Sequence, residues 1–312
     1  MRTEFFRLLD SGNRFLVAGV GGSFDFVSGI PLFLHLRRAG KTVVLANLSF
    51  TDLGRSGAVE ETEGAWRIGA DGADLTYFPE RHVREWLSSR GEDPVIYAFP
   101  SELGVQPLRR AYASVIARHG IDTIVLVDGG TDSLMRGDEA RVGTIVEDAC
   151  SLAAVAPLLP ERSFLAAIGF GVEHDLNHHA CLENIALLTA AGQFLGAESL
   201  TDTSDEGKAF LGLVDHLDRA MPDHRSIVVH SIAAAMRGSF GDVHATDRTA
   251  GTRQFVSPLM NVSWYFRLGG VADRILFREA IERTATMEEV AKAYRHFRLL
   301  VRPRPRDTIP LR

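Results

Sequence analysis

Cysteine is scarce. Cys150 and Cys181 are the two in the chain; they stand in stretches that read as helix and supply neither CxxC spacing nor a disulfide framework. Both read as core residues. No apolar run reaches the roughly 20 residues of a membrane span, and the opening MRTEFFRLLDSGNR lacks an apolar signal segment. A cytoplasmic protein without a membrane partner is expected. Basic charge forms no stripe: the formal net charge is −6, with Lys and Arg scattered among acids, which argues against a nucleic-acid partner. Several signatures are also missing. GxGxxG is incomplete because Phe24 stands three residues after Gly21, there is no GxxxxGK[ST], and Asn47 to Phe50 offers no acid for an NAD ribose. Standard NAD binding and P-loop ATP binding are therefore disfavoured. The absence of GxSxG and HExxH weighs likewise against a serine hydrolase and a zinc protease.

What is present is a βα rhythm. Apolar runs at 15–20, 42–48, 94–99, 123–130, 164–171 and 226–232 alternate with helix-length segments at 78–90, 106–119, 141–154, 177–195 and 205–220. Two further segments, 273–284 and 287–299, read as closing helices. Nearly continuous apolar strands are expected where helices cover both faces of a parallel sheet. The predicted fold is a Rossmann-like three-layer αβα sandwich with a mainly parallel sheet. With 312 residues and 46% hydrophobic composition, one large core is the natural arrangement. Residues 1–300 are read as a single domain and 301–312 as an extended basic tail, with Arg302, Arg304 and Arg306 alternating with prolines. Gly120 reads as a helix stop, and Thr286 followed by Glu289 as a capping box. The glycine-rich stretch from Leu53 to Asp74 reads as a loop or β-hairpin.

In such sheets ligands collect beyond the carboxyl ends of the strands, which selects three loops. The first holds Gly19, Gly21, Gly22, Ser23 and Asp25; its small residues and helix-start amides suit an anion, and a tight structural turn is the alternative. The second runs from Asp128 through Gly129, Gly130, Thr131 and Asp132 to Arg136, Asp138 and Glu139. Hard cations take oxygen ligands, so Asp128, Asp132 and Asp138 are candidate ligands for Mg²⁺ or Mn²⁺. Asp128 and Asp132 are also candidate catalytic acids, and Arg136 would neutralise them or clamp a substrate anion. The alternative makes Asp128 a turn residue, Asp132 a cap, and Glu147 with Asp148 an exposed helix face. The third loop carries Glu173, His174 and His178. On a continuous helix the two histidines would share a face, compatible with a metal, with substrate contact or acid/base work, or with a structural role. His174 is the candidate acid/base; Glu173 and His178 are candidate substrate contacts. Arg237, Gly238 and Asp242 offer a further polar loop.

GVGGSFD near the N-terminus, VDGGTDSLMRGDE in the middle and IGFGVEHD after it resemble the family called domain of unknown function 1152. The resemblance spans most of the chain and implies a Rossmann-like fold. A local similarity links Asp128 to Asp132 with a DGGNE-type motif of D-glutamate cyclases, which close an amino acid onto its own side-chain carboxylate with loss of water. Thr131 and Asp132 stand where that motif has Asn and Glu, and Leu134, Met135 and Arg136 replace a glycine-containing turn. The similarity implies a reaction type. The expectation is an enzyme acting on a small anionic metabolite, first as a metal-assisted lyase or cyclising dehydratase, next as a metal-dependent hydrolase or transferase. A non-catalytic nucleotide or metabolite sensor is the contrasting reading, and a homo-oligomer is compatible with any of them.

Overall fold

A computed structural model describes residues 2–249 and 251–309. In chain order the strands are β1 (Arg14–Gly19), β2 (Thr42–Ser49), β3 (Val59–Thr62), β4 (Ala65–Arg67), β5 (Val95–Pro100), β6 (Thr123–Gly129), β7 (Ser163–Ile168), β8 (Phe194–Ser199), β9 (Gly241–Asp242), β10 (Phe255–Val256) and β11 (Val262–Arg267). The main sheet has nine strands in the order β3-β4-β5-β2-β1-β6-β7-β11-β8, with β9 and β10 forming a separate ribbon. From β5 to β7 every pairing is parallel. The edges are antiparallel: β4 pairs with β5 on one side, and β11 pairs with β7 and β8 on the other. The 53–74 stretch thus contains the expected hairpin, and it extends the sheet.

Helices cover both faces. One face carries α1 (Glu4–Asp10), α2 (Asp25–Ser28), α3 (Ile30–Arg38), α4 (Pro79–Ser89), α8 (Asp205–Ala220) and α9 (Ile227–Met236). The other carries α5 (Val105–His119), α6 (Ile145–Val155), α7 (His178–Ala190), α10 (Leu268–Ala272), α11 (Arg278–Ile281) and α12 (Met287–Leu300). Successive residues of each central strand enter opposite cores. Leu16 and Ala18 of β1 and Ile124 and Leu126 of β6 face the second group, while Phe15, Val17, Val125 and Val127 face the first. This double burial is why the strands read as unbroken apolar runs. Leu126→Ala would cost about 2–5 kcal/mol through lost burial and an unfilled cavity.

Capping follows the sequence where its chemistry is local. Gly120 ends α5 in the left-handed region (φ 58°). At α12 the Glu289 amide donates to Thr286 Oγ1 at 3.3 Å, while Glu289 Oε2 accepts from the Ala285 amide at 2.7 Å. Three expected elements differ. The apolar run 226–232 is the start of α9, not a sixth parallel strand: Ser226 caps it by accepting from Val229, and the run continues into alanines that favour helix. The 177–195 segment ends as helix at Ala190, where Gly192 (φ 68°) turns the chain into β8. Of 273–284 only Arg278–Ile281 is helical. The tail stays largely exposed, as an extended segment would, but it is pinned to the body at two points: the Arg304 amide donates to Asp138 O at 2.7 Å, and Asn177 Nδ2 donates to Pro305 O at 3.0 Å. Residues 310–312 of the expected tail lie outside the described residues. No helix among the described residues is long and apolar enough to cross a membrane.

Candidate functional site

The chain leaves β1 to build β2 and β5 on one side, then returns to place β6 and β7 on the other. The loops after β1 and β6 consequently diverge, opening a crevice at the carboxyl edge of the sheet. The first, second and third loops meet there, as the sequence predicts. A cavity of about 220 Å³ is walled by Gly21, Asp25, Asp132, Asp148 and Glu173, with Ser226 and Val229 of α9 closing one side.

The first loop is tightly folded. Gly22 has φ 89°, and a Cβ on it would lie 2.5 Å from the Leu48 carbonyl oxygen, so only glycine fits. Ser23 is also left-handed (φ 55°), and its carbonyl accepts from Asn47 Nδ2 at 2.9 Å. That same amide group donates to buried Glu80 at 2.7 Å, buckling the loop to β2. Gly19 sits behind the wall, where a Cβ would meet Asn47 Oδ1 at 2.6 Å. The expected row of free amides is not what the loop presents. The Gly21 amide donates to Asp25 Oδ2 at 2.7 Å, and α2 is a single turn. Its contribution to the cavity is a carboxylate.

Asp128, at the end of β6, is 1% exposed and accepts from the amide and hydroxyl of Ser133. Asp132 is 3% exposed; its Oδ2 accepts from the Thr144 amide at 2.8 Å and hydroxyl at 2.6 Å, tying it to the start of α6. One turn into α6, Asp148 is 1% exposed and its Oδ2 has no hydrogen-bond partner. Oxygens of Asp128, Asp132 and Asp148 lie within 4.8 Å of one another. Glu173 and Asp25 complete the enclosure, and Gly130 makes it possible: a Cβ there would lie 2.6 Å from Glu173 Oε1, 3.0 Å from Asp132 Oδ1 and 3.2 Å from Asp128 Oδ1. Three loops and the first turn of α6 bring carboxylates to one volume, and among the described residues no Lys or Arg lines it.

Proton affinities record that crowding. Burial, then the Asp132 charge, pushes Asp25 up to about 8. Burial first and neighbouring carboxylates second hold Asp128, Asp148 and Glu173 well above the usual acid range, and burial raises Glu147. A hard divalent cation is what such an oxygen set fits, since it would supply the missing positive charge and a partner for Asp148 Oδ2.

Other expected residues go elsewhere. Asp138 is no ligand: its Oδ1 accepts from Arg304 Nε at 3.0 Å, and Glu139 accepts from the same guanidinium and from Asn184 Nδ2 at 2.9 Å. Arg136 neither neutralises the acids nor lines the cavity; its amide donates to Glu139 at 3.0 Å. His174 and His178 share no helical face, because α7 starts at His178 under the Asn177 cap and His174 lies in the exposed turn before it. His178 stacks edge-on against Phe170 at 5.4 Å, and burial lowers its proton affinity. Neither histidine lines the cavity. Thr131 is fully buried, its carbonyl 3.8 Å from Cys181 Sγ. Arg237 pairs with Asp215, and Asp242 accepts from the Gln254 amide. The residue sequence reasoning misplaced is Asp148, read as exposed helix surface. Its signal was that Ile145, Ala149 and Leu152 set the buried stripe of α6, and position 148 lies on it.

A Rossmann-like α/β protein with a carboxylate-walled cleft at the sheet's switch point is the class that the fold and site define. The chain belongs to the family described as Protein of unknown function (DUF1152), whose model matches residues 83–300, a span that includes the Asp128, Asp148 and Glu173 segments. No curated protein and no solved structure matches it.

Proposed function

We propose that the protein is a divalent-cation-dependent enzyme acting on a small anionic metabolite, with a lyase or cyclising dehydration as its reaction. The observation that carries this reading is the buried set Asp128, Asp132 and Asp148, which converges without an internal cation and leaves Asp148 Oδ2 unpartnered. Mg²⁺ or Mn²⁺ bound there would polarise a substrate oxygen and offset the acids' charge towards an anion. Ser133 and Thr144 hold Asp128 and Asp132 in place through their donated hydrogen bonds. Glu173, whose proton affinity burial raises, suits the donor that turns a leaving hydroxyl into water. Asp25, with proton affinity near neutrality, suits the group that accepts the substrate proton. Metal-assisted hydrolysis or group transfer is the second reading, favoured by a cavity of about 220 Å³ that accommodates water beside Asp148.

The test has two stages. Calorimetric titration of Mn²⁺ into wild type and Asp148→Asn checks the centre; equal affinity in both folded proteins sinks it. Mass spectrometry of a metabolite mixture turned over in H₂¹⁸O then separates the reactions. Dehydration yields products lighter by one water without ¹⁸O, hydrolysis yields ¹⁸O-labelled products, and ligand binding without turnover points to a sensor.

A further inference from the structure

A second chamber adjoins the acidic cavity. It is an open concavity of about 470 Å³, and Ser23, Phe24 and Phe50 line both it and the inner cavity, so the two adjoin at these residues. Its character is different. The inner part is lined mainly by carboxylates; the outer part is lined by Phe24, Phe50, Tyr77 and His224, with Asp223 and Arg248 as its charged residues. Phe50 follows β2 and remains 49% exposed, although most large apolar side chains in its neighbourhood are buried. Tyr77 is fixed from two sides. Its ring meets Phe24 and His224 edge-on at 6.1 Å and 5.3 Å, and its hydroxyl shares a hydrogen bond with Ser23 Oγ at 2.8 Å. The chamber therefore presents held aromatic surfaces and a guanidinium, groups that take a planar ring by stacking and cation–π attraction.

We propose that this cleft binds a nucleotide, its base lying in the aromatic chamber against Phe50 and its phosphate reaching the divalent cation at Asp128, Asp132 and Asp148. This names the substrate class of the enzyme proposed above and rests on that reading of the acidic centre. The chemistry divides as the cleft divides. A phosphate cannot approach unshielded carboxylates and needs the cation; a base needs no charge and finds π-faces. Ser23 lines both parts, so a sugar joining base and phosphate would pass beside it. The missing GxGxxG is no obstacle, since Gly21's amide already serves Asp25 and phosphate contact is assigned to the metal.

The experiment uses the full chain loaded with Mn²⁺ and measures binding of ADP, UDP and inorganic pyrophosphate by calorimetry. The expected result is that at least one nucleotide binds tenfold or more tighter than pyrophosphate. Phe50→Ala should remove that advantage, weakening the nucleotide on the order of tenfold, with pyrophosphate and Mn²⁺ affinities unchanged; Phe50→Tyr should restore it. Because Phe50 is half exposed, its replacement spares the core. Mn²⁺ binding with pyrophosphate as tight as both nucleotides, or nucleotide affinity indifferent to Phe50→Ala, overturns the base chamber and leaves the metal centre standing. Failure of Mn²⁺ to bind overturns both.

Discussion

The segment from Asp128 to Glu139 contains two acidic pairs of similar composition and opposite circumstance. Asp128 and Asp132 are buried where the described residues supply hydroxyls and amides but no cation. Asp138 and Glu139, a few residues later, close on the guanidinium of Arg304, and Glu139, fully buried, also accepts from Asn184 and the Arg136 and Gly137 amides. Acidity and burial do not distinguish the pairs. What differs is whether the fold itself supplies the counter-charge. A carboxylate answered from within serves the fold; one left unanswered beside a cavity awaits something from solution.

Breaking each pair should therefore give effects of opposite sign. The largest effect is expected for Arg304→Ala, which strands Glu139 and should destabilise the protein by about 3–5 kcal/mol in denaturant unfolding, while Mn²⁺ affinity stays unchanged. Asp132→Asn keeps an acceptor for Thr144 but loses its charge, so calorimetry should show Mn²⁺ binding weakened on the order of 100-fold, about 2.7 kcal/mol, with the fold intact. Asp148→Asn should weaken Mn²⁺ too, yet raise the melting temperature of the metal-free protein, because Asn stays neutral in that buried site without taking up the proton that burial demands of Asp148. A fall in the metal-free melting temperature would erase the contrast between the pairs.

The pH dependence sharpens it further. Asp25 moves from an ordinary 3.8 to about 8 on folding, and Asp128, Asp148 and Glu173 are raised with it. The folded state thus holds more protons than the unfolded state, so this stabilisation is complete below the unfolded values and is lost as pH rises through the raised ones. Metal-free protein should lose stability between about pH 4 and pH 8, and saturating Mn²⁺ should flatten the slope. Asp138→Asn is expected to do least. Its partner Arg304 still pairs with Glu139 and Glu183, and a change of about 0.5–1 kcal/mol in unfolding with no change in metal affinity is the outcome to check.

The central fold was legible because its causes are local or periodic. Double burial wrote unbroken apolar runs into β1, β2, β5, β6 and β7, and Thr286 and Gly120 marked helix ends through their own backbone chemistry. The antiparallel edge was not. The strand β8 pairs with β11, some seventy residues later in the chain, and nothing in FLGAES declares that partner. Likewise SIVVHSI has a β-branched run, and only the alanines beyond it and burial against the sheet decide for helix. At the candidate site, the glycine-rich loops do converge, bringing Asp25, Asp128, Asp132 and Glu173 together. Asp138 was indistinguishable from Asp132 until the fold carried Arg304 across 166 positions to neutralise it. Asp148 was hidden by the opposite error, since a charged residue on a helix usually faces water.

That wiring gives the order of synthesis a structural meaning. A chain emerging N-terminus first completes β1 to β7 and the acidic crevice early, while two closures stay out of reach. The strand β8 has no neighbour until Val262–Arg267 arrives to sit between it and β7. Glu139 lacks the Arg304 counter-charge until 165 further residues have been added. Until then the nascent protein carries an open sheet edge and a charge bound for the interior, both of which favour chaperone capture over premature release. Arg304 therefore acts as a late latch on a sheet whose acidic crevice is built from earlier residues, and a chain that stops before Arg304 lacks that latch.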